Sequence, residues 1–412
     1  MNNAKDMDNV SNELLDQLAT NGEGLVALRL RQRLLPVEES GIIFPPTYTD
    51  IGYNIDTLSD GTRVATIDSV GSQANRLEPI FKSESKNRQE WLVPQIEIVI
   101  RKEDCGECEA CKNAKAERSK QERKTCAEPR KVTRSLLDLA HRAADAVVHS
   151  SPSLLKLVGP AFKKLQQGDA KPLCAIAPTS LVFGVWDSRG DTGEKRPRLV
   201  RSIIRAWDVE PLHAAAQFNS VWKLLDEQQQ EELKKAVKDK DKNKDSKLST
   251  VGLADAPVTF RKTKLPQYRD GYPNPEARVL GGVRVRGRIE REVTVNLVAL
   301  RGLRGEKEED TVAIRKYLLG LSLVAATADI ELFLREGCLL RYAENGDAWY
   351  QVPRRGDPKP IVLAAENLRA YANQAAACFR SMWPTDLEHE FNLTEAKKLL
   401  AKKTVEEASA SE

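Results

Sequence analysis

The chain has 412 residues, enough for two or three ordinary domains or for one elaborated core with large insertions. It is 41% hydrophobic and 30% charged, which suits a soluble globular protein. A net charge of only +4 excludes a uniformly basic field, so any affinity for nucleic acid has to come from local clusters of Lys and Arg. The first thirty residues carry acids throughout and no continuous apolar core, so no signal peptide is expected. The longest apolar stretch, YLLGLSLVAATADI from Tyr317, is too short to span a bilayer. The expectation is a cytoplasmic protein with no membrane partner, whose seven cysteines pack or bind metal rather than form disulfides.

In chain order, residues 1–12 are polar and belong to an N-terminal segment, 1–44, preceding a core of 45–394. Ile67, Val70, Ala74, Leu77 and Phe81 follow the spacing of an amphipathic helix, with Ser69, Ser72, Gln73 and Arg76 on its other side. EWLVPQIEIVI from Glu90 reads as a strand running into a cysteine-rich insertion, 105–126. RSLLDLAHRAADAVV (134–148) reads as a helix, and SPSLLKLVGPAFKKL (151–165) as another, bent or interrupted at Pro160. SLVFGVW (180–186) and LVRSIIRAWDV (199–209) are strand candidates joined by the charged loop DSRGDTGEKRPR.

A long helix is expected over Leu212–Lys238, dissolving into a Lys-rich linker within 238–282. GVRVRGRIEREVTVNLVAL from Gly282 alternates apolar and charged residues as a strand does. Residues 312–335 form the most apolar helix, GCLLRY and AWYQV resemble a hairpin split by ENGD, and ENLRAYANQAAACFR closes the core as a helix. The tail, 395–412, frays or forms a lone helix. No repeat of 20–50 residues is visible, and this mixed order without regular βαβ units predicts an α+β fold with insertions.

Three groups of residues carry chemistry. Cys105, Cys108, Cys111 and Cys126 follow C-x2-C-x2-C-x14-C. Four thiolates match a tetrahedral structural zinc site, but the third cysteine departs from paired knuckles; an iron–sulfur cluster or no metal are the alternatives. A shell of four cysteines leaves no open position, so a structural clip is preferred to a catalytic metal.

Arg284, Arg286 and Arg288 alternate with Val283, Val285 and Ile289, which predicts a basic stripe backed by a core face. Like charges on one face repel unless anions lie between them, so the stripe is a candidate phosphate contact. Arg189, Lys195, Arg196 and Arg198 lie in the charged loop beside Trp186, among the glycines and guanidinium forks that phosphate clamping uses. A buried strand residue is the competing reading for Trp186. Together these stretches predict a groove for single-stranded nucleic acid. The histidines number four, His141, His149, His213 and His389, and neither H-E-x-x-H nor G-x-S-x-G occurs. His141 is read as a helix-surface or packing residue, and Asp187 as a turn residue rather than a base.

Three phrases also carry a resemblance. SVGSQANRLE (69–78), FGVWDSRGDTGEKRPRLVRSIIRAWDV (183–209) and PPTYTDIGYNID (45–56) resemble the Csb-type RAMP proteins of CRISPR–Cas systems. These are the Cas-seven backbone subunits of the type I-G (formerly I-U) Cascade complex. The resemblance runs from about Pro45 to near Trp383 and leaves out the cysteine cluster, the linker and the tail.

The resemblance implies a modified RRM-like, or ferredoxin-like, palm with finger and thumb insertions. It implies copies stacked head-to-tail on one CRISPR RNA, in a filament that also takes a large subunit, a small subunit and a Cas-five-like subunit. The guide then pairs with target DNA in antiviral defence. By motif, Ser72, Gln73, Asn75 and Arg76 are candidates for the RNA-facing side, with Asn75 alternatively bracing the core. Arg189, Lys195, Arg196 and Arg198 are candidates for guide-backbone or subunit contacts. A loop aspartate cuts target RNA in related type III backbones, whereas type I backbones leave cutting to a recruited helicase-nuclease, so a non-catalytic subunit is implied. The competing readings are a RAMP endoribonuclease processing precursor RNA and a zinc-dependent DNA-binding protein.

Overall fold

The computed structural model describes residues 11–20, 24–48, 51–101, 131–213, 221–236, 248, 253, 268–269, 272–273 and 280–409. The chain opens with α1 (Asn12–Thr20), β1 (Leu25–Pro36), β2 (Ile42–Ile43), β3 (Ile55–Thr57), β4 (Arg63–Asp68) and α2 (Val70–Leu77). Next come β5 (Glu97–Arg101), β6 (Lys131–Ser135), α3 (Ala146–His149), α4 (Pro152–Gln166), α5 (Lys171–Ile176) and α6 (Pro178–Val182). The short pair β7 (Val185–Trp186) and β8 (Lys195–Arg196) leads to β9 (Val200–Trp207) and β10 (Val209–His213). After α7 (Glu227–Ala236), β11 (Tyr268–Arg269) and β12 (Tyr272–Pro273) come β13 (Leu280–Val285), β14 (Ile289–Asn296), α8 (Leu297–Arg301) and α9 (Glu308–Thr327). The chain ends with β15 (Phe333–Arg335), β16 (Cys338–Pro353), β17 (Lys359–Ile361), α10 (Ala365–Arg380), β18 (Glu388–Glu390) and α11 (Leu393–Ser409).

The largest sheet runs β15-β16-β1-β14-β9-β4-β3, with β17 on β16, and every pairing in it is antiparallel. Period-two sequence fixes which way it faces. In β1, Leu28, Leu30, Gln32 and Leu34 are buried, while Arg31 and Arg33 between them are exposed. Helices α2 and α9 cover the buried face. Helix α9 is buried almost all round from Tyr317 to Ala326, because it is wedged between the sheet, α1 and α10. Gly320 permits the close approach, since a Cβ there would lie 2.8 Å from the Ala372 backbone on α10.

One polar row crosses this apolar face. Asp347, Gln32, Arg291, Ile204 and Asp68 are cross-strand neighbours on β16, β1, β14, β9 and β4. Arg291 is fully buried. Its Nε donates to Gln73 Oε1 at 3.3 Å and Ser202 Oγ at 3.2 Å, and its Nη1 to Gln32 Oε1 and, at 3.4 Å, to Ala328 O. Gln32 Nε2 donates to Asp347 at 2.7 Å, and Gln73 Nε2 to Asp68 at 2.6 Å. Desolvating a guanidinium costs several kcal/mol, so it is tolerated here only because several acceptors converge on it.

An α+β architecture with several open sheets agrees with the sequence reading, but several elements differ from expectation. The segment 134–148 is not one helix. Ser135 Oγ accepts from Leu137 N, Asp145 Oδ1 accepts from Val147 N, and Arg142 has φ +55°, so it splits into a strand end, two 3-10 turns and α3. Residues 180–182 are the end of α6, capped at Phe183; Gly184, at φ +82°, turns the chain and leaves only Val185–Trp186 extended.

Of the helix expected over 212–238, the described residues form a 3-10 turn at Val221–Leu224 and α7 at Glu227–Ala236, and its start is instead committed to β10 paired with β13. The helix expected over 312–335 ends at Thr327, and Phe333–Arg335 pairs with β16 instead. Residues 338–353 form no hairpin. Both halves continue along the same partner, β1, and the register shift falls between Gln32 and Leu34, so residues 343–346 bulge. The strand read from Glu90 begins only at Glu97, and the next described element is β6, which pairs with it. Helix α4 runs unbroken through Pro160, and α11 packs against α3 instead of standing alone.

Replacing Arg291 with Ala orphans Gln32, Gln73 and Ser202 together. The expected loss is about 3–5 kcal/mol of unfolding free energy in urea titration. A loss under about 1 kcal/mol would mean that the row does not hold the sheet.

Candidate nucleic-acid interface

The face of the sheet opposite α2 and α9 is built from the residues that alternate outward. Arg29, Arg31 and Arg33 on β1 stand beside Thr294, Glu292 and Glu290 on β14, which in turn stand beside Arg201, Ile203 and Arg205 on β9. Except for Ile203, these are half-buried or exposed. Five arginines therefore face two glutamates, a local excess that the chain's small net charge conceals. Glu290 takes much of the compensation, at 2.9 Å from Arg288 and 3.8 Å from Arg31. Tyr350 on β16 lies opposite Arg29, with the Arg29 and Arg31 guanidinium carbons 5.0 and 5.9 Å from its ring centre.

The arginine stripe expected over 284–288 is corrected by the chain path. Strand β13 ends at Val285, and residues 286–288 carry the chain from the small sheet β10-β13-β2 to β14. Gly287 lies so close to Trp207 that a Cβ would come within 2.6 Å of its carbonyl oxygen. All three arginines are exposed, but Arg286 pairs with Glu210 at 2.6 Å, and Arg288 pairs with Glu290 and lies 4.4 Å over the Trp207 ring. Arg284 alone of the three has no charged partner among the described residues. Mutual repulsion is thus relieved by carboxylates and by divergence, without any need for anions.

The helix phrase points partly inward. Gln73, expected on the outer side of α2, is buried and joined to Asp68, Ser202 and Arg291. Arg76 spends its donors on Asp68 and on the Phe333 and Leu334 carbonyls, tying α2 to β15. Ser72 is half-buried, its N–H capped by Ser69 Oγ at 3.3 Å. Asn75 is exposed and accepts from Arg142 Nη2 at 3.4 Å.

In the charged loop, Trp186 is 58% exposed rather than buried, with Lys195 Nζ 5.4 Å from its ring centre. Arg196 is held by Glu194 at 2.8 Å and the Leu165 carbonyl at 2.8 Å, whereas Arg189 and Arg198 have no charged partner among the described residues. Asp187 is buried. Thr192 Oγ1 donates to it at 2.7 Å, and His149 Nε2 lies 3.2 Å away. Burial alone would raise the Asp187 pKa, but His149, Thr192 and the Gly190 N–H outweigh it and hold the carboxyl below its usual range. Its Oδ2 is committed to the loop's own turn through Thr192, while Oδ1 faces His149 on α3. His141 is exposed on a loop rather than set in a helix.

Behind the loop, Arg142 Nε lies 2.6 Å from Glu78 Oε2, both nearly without exposure. The contact is Coulombic, since neither atom meets hydrogen-bond geometry. Burial pushes the Glu78 carboxyl up to about 7 against the pull of Arg142 and Thr179.

Cys105, Cys108, Cys111 and Cys126 lie outside the described residues. Among the described residues no group of three or more His, Cys, Asp or Glu is placed to hold a metal, and Cys174 and Cys338 are buried free thiols. No helix among them is long and apolar enough to cross a membrane.

Residues 28–211 match the family described as CRISPR-associated protein GSU0053 (Cas_GSU0053). The match supports membership in a CRISPR-associated protein family. It covers a little under half of the chain, from β1 through most of β10, and so takes in Arg29, Arg31, Arg33, Arg201 and Arg205 as well as the charged loop. No curated protein matches the chain.

Sequence reasoning missed the β1 and β9 arginines. The signal was present, because LRLRQRL (28–34) alternates as cleanly as the segment from Gly282.

The Glu78 shift gives a pH test. A carboxyl whose folded pKa exceeds its unfolded value near 4.5 contributes stability that is full below about pH 4.5 and lost as the pH rises to about 7. Glu78→Gln mimics the protonated group, so the variant should gain on the wild type between about pH 5 and about pH 8 in urea unfolding. An equal difference at both pH values would refute the assignment.

Proposed function

We propose that this chain is a non-catalytic backbone subunit of a type I-G Cascade complex, binding CRISPR RNA and oligomerising along it to support guide-directed recognition of target DNA. The observation that carries the reading is the arginine-rich open face of the main sheet, inside the segment that matches a CRISPR-associated family. Backbone phosphates are the ligand such a face attracts, and a protein that reads shape and charge leaves sequence reading to the guide.

The topology supports an RRM-like palm. In chain order β1, β9, β14 and β16 occupy the spatial order β16-β1-β14-β9, with α2 between the first two and α9 between the last two. On this reading the finger and thumb insertions lie in the connections outside α2, α9 and the strands of the main sheet. The internal commitment of Asp187 to His149 and Thr192 supports a binding role over a cutting one. The implied partners are copies of the chain stacked head-to-tail, a large subunit, a small subunit and a Cas-five-like subunit.

Co-expressed with a CRISPR array, the protein is expected to purify with CRISPR RNA and to protect it from nuclease in regular, subunit-sized steps. A monomeric, RNA-free protein would refute the reading. Cleavage of precursor RNA by the purified chain would favour an endoribonuclease instead.

Structural zinc at Cys105, Cys108, Cys111 and Cys126 is part of the same proposal. Its support is the four-thiol spacing, and the pairing of Arg101 with Lys131, which brings the two ends of segment 102–130 together. Metal analysis of purified protein should find about one zinc per chain, lost on replacing Cys105 and Cys108 with Ser. A folded, metal-free wild type would remove zinc from the account.

A further inference from the structure

The open face of the main sheet is not evenly basic. Taken across the strands, the row through Arg33 and Arg205 has Glu290 between them, and the row through Arg31 has Glu292 beside it. The remaining row, Tyr350, Arg29, Thr294 and Arg201, contains no carboxylate. Neither Arg29 nor Arg201 has an ion-pair partner among the described residues, and Arg29 Nε is buried without a hydrogen-bond partner.

Tyr350 supplies what a carboxylate usually supplies, a fixed position for the guanidinium, but without cancelling its charge. A planar fork held in place and left positive is prepared for a phosphate oxygen. Arg29 and Arg201 stand on strands flanking β14, so their backbones are about 10 Å apart, two inter-strand spacings. Arg198 lies just beyond the start of β9. It is exposed, and near enough to Arg142 and Arg201 for their charges to depress its pKa, after the larger effect of partial burial. Arg198, against Gly184 and three residues along the chain from Arg201, therefore stands outside this row.

We propose that Arg29 and Arg201 form a phosphate seat for single-stranded RNA that crosses the sheet at right angles to its strands, with Tyr350 as the positioning residue for Arg29. The inference rests on the RNA-binding reading above and adds to it the path of the strand and the residues that hold it. A solubilising surface would have no reason to leave one row without acids beside two rows that have them.

The test uses the purified full chain and a labelled, unstructured oligouridylate, with affinity measured over a salt series. The double variant R29A/R201A should weaken binding at least tenfold and shrink the slope of log K against log salt by about 1.4, which is about 0.7 for each lost phosphate contact. The double variant R31A/R288A removes the same formal charge from the two arginines that Glu290 pairs and should change affinity less than about threefold. Tyr350→Phe should bind as the wild type does, and Tyr350→Leu should approach Arg29→Ala. Thermal unfolding of each variant guards against misfolding, and R29Q/R201Q repeats the test with side-chain bulk retained.

Equal losses in the two double variants, or an unchanged salt slope in R29A/R201A, would overturn the seat. Duplex RNA competing as well as the single strand would overturn the single-strand assignment. Wild-type protein that binds no RNA would refute the underlying function. Tight wild-type binding with an unaffected R29A/R201A variant would refute only the seat.

Discussion

The sheet is organised around a buried guanidinium. Arg291 sits at the centre of β14 on the face that packs against helices, where an apolar residue would be the simpler choice. Its presence obliges four strands and a helix to bring polar groups to one place: Gln32 from β1, Ser202 from β9, Gln73 from α2, with Asp347 and Asp68 behind them. A one-residue slip of β1 against β14 would exchange Gln32 for an arginine and bury like charges together. The row therefore fixes register more strongly than interchangeable leucines would, as buried polar groups do where only one pairing satisfies them.

Once that register is set, the opposite face follows. Residues on either side of Arg291 and Gln32 point outward, so the same alignment that joins Gln32 to Arg291 places Arg31 beside Glu292 and Arg33 beside Glu290. The distribution of acids over the open face, and so the row that lacks them, is a consequence of core chemistry one residue away. The charged loop is anchored independently, by Asp187 with His149 and Thr192 and by Arg196 with Glu194 and Leu165. That leaves Trp186 and Lys195 at the surface as a presented pair.

Much of this was legible in the sequence where one periodicity ruled. The strand over 200–207, the second half of the alternation from Gly282 and the helix over 365–380 each carry a clean signal, and each formed nearly as read. Segment 134–148 failed because its apolar spacing is helical while Ser135 and Asp145 bond their own backbone two residues on. ENGD misled for a different reason. It has turn chemistry, and Asn345 does take a positive φ, but β1 is long enough to pair with both flanks, so the turn residues became a bulge. Gln73 and Arg76 were given to the surface because helical spacing marks polarity and cannot reveal a buried arginine waiting on the next element.

The sequence by itself determined that the protein is α+β, where its charge lies along the chain, and that residues 28–211 match a CRISPR-associated protein family. Those properties are local, carried by alternation, turn chemistry and residue type within a few positions. Tertiary structure alone decided which arginines face carboxylates and which do not. Arg288 and Arg31 meet Glu290, Arg286 meets Glu210, and Arg29 meets Tyr350 and, among the described residues, no carboxylate. Whether an arginine is free to hold a phosphate depends on neighbours across the sheet that are tens to hundreds of residues away, and strand register, set by the buried row, brings them together.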